Sequence, residues 1–162
     1  MASGATYTPI ATFSPTSGAT VTFSSIPSTY QDLILEGMTV GTAAANFTFY
    51  VNGDNSSGLY SRTTLNGDGS SATSTRGTGS NLAYGGDMTN GTPTTQIINL
   101  MNYANSSTYK TFLSRGSSAG TAVLTRALLW RNTNAITSIT CGPDSGSFAA
   151  GTTLTLYGLA AA

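Results

Sequence analysis

Short runs in which large apolar residues alternate with small polar ones follow one another along the chain, each cut off by a glycine-, asparagine- or serine-rich break. Val21 and Phe23 share one face, as do Phe47, Phe49 and Val51. A period of two is that of a strand with one face buried. Residues 32–40 are apolar on both faces, Leu33 and Leu35 against Ile34 and Met38, which suits a central strand or an interface. The pattern predicts strands over 6–13, 20–23, 32–40, 46–51, 59–65, 96–101, 110–115, 122–130, 136–141 and 152–157. Pro9 cannot donate to a ladder, so the first of these belongs at an edge. Asn52-Gly53-Asp54-Asn55 and Asn66-Gly67-Asp68-Gly69 are turns, because Asn and Gly tolerate positive φ. The one helical option, 125–131, is outweighed by neighbouring Val123 and by the abrupt Asn132-Thr133-Asn134 turn. Residues 66–95 are weakly patterned around Leu82, Tyr84 and Met88 and read as a long polar loop region with one short strand; within it, 70–79 also has the composition of a disordered segment.

Nine to eleven short strands with turn signals between them predict one all-β domain over residues 1–162, a two-sheet antiparallel sandwich. Long connections favour a jelly-roll-like order. An immunoglobulin-like order is the runner-up, without the paired cysteines of its familiar form.

Composition changes the picture in two ways. Fifty of the 162 residues are serine or threonine, and only 7% are charged against the usual ~25%, with six basic and six acidic side chains balancing. So few charges protect a lone monomer poorly against association and suit a protein living in an assembly. There is no histidine, which removes the residue best suited to proton transfer near neutrality and with it most catalytic triads and zinc sites. The expectation is a non-enzymatic module with no cofactor. Cys141 is alone and reads as a small buried residue. No basic, apolar leader and no run of ~18 apolar residues is present, so neither a signal peptide nor membrane insertion is expected.

The polar loops hold what chemistry there is. Asp54 and Asp68 sit in equivalent turns and are weak calcium candidates if they converge; the plainer reading is two hairpin tips. Tyr60, Tyr84, Tyr103 and Tyr109 lie in or beside polar loops, as glycan platforms or as rim tyrosines contacting a partner. Arg62, Arg76, Lys110, Arg115, Arg126 and Arg131 are spread along the chain, which argues against the basic track of a nucleic-acid binder. Trp130, between Arg126 and Arg131, reads first as a core residue.

Three stretches carry a resemblance. "YTPIATFSPTSGATVTFSSIPSTYQDLILEG" at the start, "FYVNGDNSSGLYSRTTLNGDGSSATS" in the middle and "LLWRNTNAITSITCGPDSGSFAAGTTLTLYGL" at the end resemble a group of small β-rich virion proteins of tailed bacteriophages. Tyr7, Asn52, Gly53, Asp54, Tyr60, Ser61, Arg62, Trp130, Ala135, Ile136, Ser138, Gly151, Leu156, Tyr157 and Gly158 fall on the shared pattern. The resemblance implies a sandwich module of the capsid surface, tail fibre or tail tip, commonly trimeric, made in the host cytoplasm and carried in the virion. It also implies that Asn52 to Asn55 and Tyr60-Ser61-Arg62 are scaffold, with the Arg62 guanidinium clamping loop carbonyls.

The chain opens on its own methionine without a fibre shaft, so the leading expectation is a homotrimeric capsid decoration or cement protein held by the major capsid protein. Ile10, Phe13 and Leu159 are its candidate docking contacts. The alternative is a tail-fibre or tail-tip adhesin, joined to tail proteins and binding a host surface glycan through loops between Asn66 and Tyr109.

Overall fold

A computed structural model describes residues 6–118 and 122–160. It holds twelve strands among the described residues: β1 (Tyr7–Phe13), β2 (Val21–Phe23), β3 (Asp32–Thr39), β4 (Ala45–Val51), β5 (Tyr60–Gly67), β6 (Ala72–Ser80), β7 (Ala83–Met88), β8 (Thr94–Leu100), β9 (Lys110–Ser118), β10 (Ala122–Trp130), β11 (Ile139–Pro143) and β12 (Thr153–Leu159). They form two antiparallel sheets, an eight-stranded one in the order β1-β12-β3-β8-β9-β10-β5-β6 and a four-stranded one in the order β2-β11-β4-β7. All-β and two-sheet, as the alternation predicts, the chain has strand β10, which ends at Trp130, where the helical option over 125–131 lay.

The core is built from the alternate residues that the two sheets turn toward each other. Leu33, Leu35, Phe47, Phe49, Val51, Ile98, Leu100, Phe112, Leu154 and Leu156 are each at most 1% exposed. Phe49 of β4 and Phe112 of β9 meet edge to face across the gap, ring centroids 5.4 Å apart. Burying a side chain of this size contributes roughly 1.5–3 kcal/mol. Toward one end the interior turns polar. Thr39 and Thr94 share a hydroxyl hydrogen bond of 2.9 Å, the Gln96 amide donates to the Asp87 carbonyl at 2.7 Å, and Arg126 Nη2 meets Asp87 Oδ1 at 2.7 Å. That ion pair ties β10 of the large sheet to β7 of the small one.

The long polar loop expected over 66–95 is absent. Its residues form β6, β7 and the start of β8. β6 pairs with β5 alone and is the free edge of the large sheet, so it needs no apolar face, and nearly all its residues are exposed. Alternating hydrophobicity had nothing to report there. β7 carries Gly85 and Gly86 where it crosses β8. A Cβ on Gly86 would lie 2.0 Å from the Gln96 side-chain oxygen, so the glycine is what lets the strands approach. The strand predicted over 136–141 begins at Ile139; Ile136 is buried in the preceding loop, its N–H donating to the Tyr103 carbonyl at 2.9 Å.

Candidate interaction surface

The Asn-Gly turn after β4 is the base on which the surface is built. Asn52 and Gly53 both have positive φ, 55° and 71°. The Asn52 side chain then reaches the loop before β11, accepting from Thr137 N–H at 2.8 Å and donating to the Ala135 carbonyl at 2.8 Å. Tyr60, at the start of β5, accepts from Val51 N–H at 3.1 Å and donates to the Asp54 carbonyl at 2.9 Å. Burial raises its phenol well above the ordinary tyrosine range. The Asp54 carboxylate in turn accepts from the Trp130 indole N–H at 3.0 Å and from the Asn132 amide at 3.4 Å. Asn52, Asp54, Tyr60 and Trp130 are thus one knot joining β4, β5, β10 and the loop before β11.

That knot decides several expectations. Trp130 is in the core, fully buried. Asp54 is occupied by the indole, and Asp68 by its own turn, accepting from Ser70 N–H at 2.8 Å and Ser71 N–H at 2.7 Å. The Ser71 and Ser70 backbone N–H groups hold the Asp68 carboxyl below the usual carboxylate range. The two aspartates flank opposite ends of β5, roughly 23 Å apart by strand rise, so they do not converge on a cation. No cluster of three or more metal-capable side chains occurs among the described residues.

The four tyrosines do not form a platform. Tyr60 and Tyr103 are interior, 1% and 0% exposed, and Tyr103 donates its hydroxyl to the Pro27 carbonyl, so neither offers a ring face to a sugar. Burial also raises the Tyr103 phenol. Tyr84 is half-buried beneath the Arg62 guanidinium, whose carbon stands 4.1 Å from the ring centroid. Tyr109 is exposed. The clamp expected of Arg62 belongs instead to Arg131, whose Nη1 donates to the Gly58 carbonyl at 3.2 Å and whose Nη2 donates to Ser61 Oγ at 3.1 Å. Arg62 lies against Tyr84 and against Gly77, where a Cβ would come within 3.0 Å of the guanidinium.

The three docking candidates do share one edge. β1 is the outer strand beside β12, with Tyr7 opposite Leu159 and Phe13 opposite Leu154. Ile10 is the extra residue of a bulge between Pro9 and Ala11 and packs partly against the core. Phe13 is on the rim, stacked edge to face on Phe23 at 4.9 Å. Leu159 is half-buried. Cys141 is fully buried, and burial pushes its thiol far up.

Sequence reasoning missed a concave surface. On the outside of β9, β10, β5 and β6 lies an open groove of about 570 Å³. Ala127 and Leu129 form its floor, Ser61, Thr63, Thr78 and Thr111 edge it with hydroxyls, and the side chains of Arg76 and Arg131 line it, while Arg62 borders it with its guanidinium turned to Tyr84 on the other face. The arginines are far apart in sequence. Only the pairing of Arg76 with Thr63, and of Thr63 with Ala127, brings them together, and it needs β6, which the pattern does not reveal. No helix among the described residues is long and apolar enough to cross a membrane. Compared with protein-family models, curated proteins and solved structures, the chain shows no match.

Proposed function

We propose that the chain is a non-enzymatic structural protein of a tailed-bacteriophage virion, made in the host cytoplasm and bound as a homotrimeric decoration or cement protein to the major capsid protein. The observation that carries this reading is the outer face of the eight-stranded sheet. The small sheet covers only the inner face, and Met38, Leu65, Leu113 and Val123 are 47%, 58%, 38% and 65% exposed. A face of that kind, in a chain with so few charges, suits burial against neighbouring copies or a capsomer, where ~1,000 Å² or more gives stable attachment. The β1 edge, with Ile10, Phe13 and Leu159, adds a site for pairing with a capsid strand.

Two further features support it. Four residues of the resemblance, Asn52, Asp54, Tyr60 and Trp130, form the knot, a constraint of scaffold and not of catalysis. The strand order also suits a jelly roll, an architecture of viral capsid and lectin domains. On this reading β1-β12-β3-β8 faces β2-β11-β4-β7, and β5, β6, β9 and β10 extend one sheet. An immunoglobulin-like order would group the strands differently, without first and last side by side at one edge. Fold alone does not give function. Cryo-electron microscopy of the intact virion tests the proposal. Density for this chain repeated over the capsid lattice is the expected result; density confined to the tail would overturn the decoration role.

A second reading, a tail-fibre or tail-tip adhesin joined to tail proteins and binding a host surface glycan, is favoured by the arginine-lined groove. It shifts the glycan site from the 66–109 loops to the outer face of β5, β6 and β10.

A further inference from the structure

We infer that this groove is a binding site for acidic saccharides, those bearing carboxylate or sulfate groups, with Arg76 and Arg131 as the residues that grip the anion. The inference rests on the adhesin reading and names the class of its ligand.

Charge placement is the first argument. Of the six basic side chains, Lys110 is 1% exposed and donates to two carbonyls, and Arg126 is 6% exposed and paired with Asp87. Four remain, and two of them, Arg76 and Arg131, turn their side chains to this one groove; the Arg62 guanidinium lies on Tyr84 of β7, on the other face of the sheet. None of the six carboxylates lines it. Two of the four cations that are neither buried nor ion-paired thus share one groove with no carboxylate in its lining. Packing alone gives no reason for this, since like charges repel across a short span.

Geometry is the second argument. Arg131 is held by Gly58 and Ser61, so its guanidinium is in place before any ligand arrives. The Arg76 side chain is exposed, on the strand beside Thr63. A guanidinium offers a planar fork of donors that matches a carboxylate or sulfate. Between the arginines, Ala127 and Leu129 present a floor on which the C–H face of a sugar ring can lie, and Ser61, Thr63, Thr78 and Thr111 bring hydroxyls to its lining for exchange with ring hydroxyls. Nucleic acid is the other polyanion to weigh. Strong backbone binding draws on six or more phosphate contacts along a track, and here the cations end with the groove.

Calorimetry on the isolated protein at low salt tests the site with three acidic probes: hexagalacturonate, a sialic acid hexamer and a heparin hexasaccharide. Maltohexaose and a single-stranded hexanucleotide are the comparators. At least one acidic probe is expected to bind, more weakly as salt rises. R76Q and R131Q should each lower its affinity by about tenfold. R115Q removes an exposed arginine outside the groove and should change little. R76Q removes a side chain without hydrogen bonds, so its thermal midpoint should match the parent and separate lost binding from lost folding.

Failure of all three acidic probes overturns the site, as does a hexanucleotide that binds more tightly than any of them. An R115Q loss equal to that of R76Q would reduce the effect to general charge. Maltohexaose binding as well as the acidic probes would sink the acidic class while leaving glycan adhesion intact. Capsid-wide density in the virion would overturn the tail location, while calorimetry on the free protein still reads the groove, which lies on the face that capsid docking would cover.

Discussion

Asp54 commits its carboxylate to the Trp130 indole and its carbonyl to Tyr60, so one residue closes the turn and fixes two aromatic rings. D54A leaves the buried indole N–H without an acceptor, and the free energy of unfolding in urea should fall by about 1–3 kcal/mol. D54N keeps an oxygen at that position and should recover most of the loss. Cys141 gives a second test at this scale. Thiol reagents attack the thiolate, which burial disfavours here. An aromatic disulfide reagent at mild alkaline pH should find no reactive thiol in the native protein and one after denaturation. Fast native labelling would instead mean that β11 opens locally.

Among the elements, the Arg126–Asp87 pair is the tie between sheets whose removal is most informative. Arg126 is nearly buried while Asp87 is about one-third exposed, so losing the aspartate strands a charge that has no other partner. D87A should cost about 3 kcal/mol, and adding R126M should return much of it, because a buried pair often contributes little over an apolar replacement. Denaturation of the single and double variants checks this; equal losses in both would show that the ion pair is not what holds β7. The same strands show where the sequence could be read and where it could not. β4, β8, β10 and β12 announce themselves because burying one face imposes a period of two on Phe47, Phe49 and Val51 or on Leu154 and Leu156. β6 has no inner apolar side chain to reveal it, and its hydroxyls follow from its place at the edge. The knot was half legible, as an Asn-Gly turn and a core tryptophan. The groove was not legible at all, because it exists only through the β6-β5-β10 register.

For the whole molecule, the absence of histidine makes a prediction about pH. No side chain with an ordinary pKa between about 5 and 8 is present to change charge on unfolding, so the thermal midpoint should be nearly flat there. Above pH ~9 it should fall. Tyr60 and Tyr103 have phenols raised by burial, so the unfolded chain ionises first while the native protein still holds its protons, and stability drops with rising pH. Lys110, lowered by burial, acts in the opposite sense, since just below its ordinary range the unfolded chain binds the extra proton. The Cys141 thiol, also raised by burial, acts with the two phenols and from a lower ordinary range, so against one amine the net slope is downward. On the acid side, Asp68 contributes stability above its ordinary carboxylate range that is lost as pH falls. Calorimetric scans from acid to alkali check the profile, and a step near neutrality would contradict it.

β1 and β12 run antiparallel at one edge, with Tyr7 directly across from Leu159, so the start of the first strand and the end of the last lie at the same corner. A tension applied between those ends acts across the strand pair and not along it, parting its hydrogen bonds one after another from the corner inward. Such a joint opens like a zipper, at low force. The protein is therefore ill-suited to transmit load as a link in a pulled chain held by those two strands.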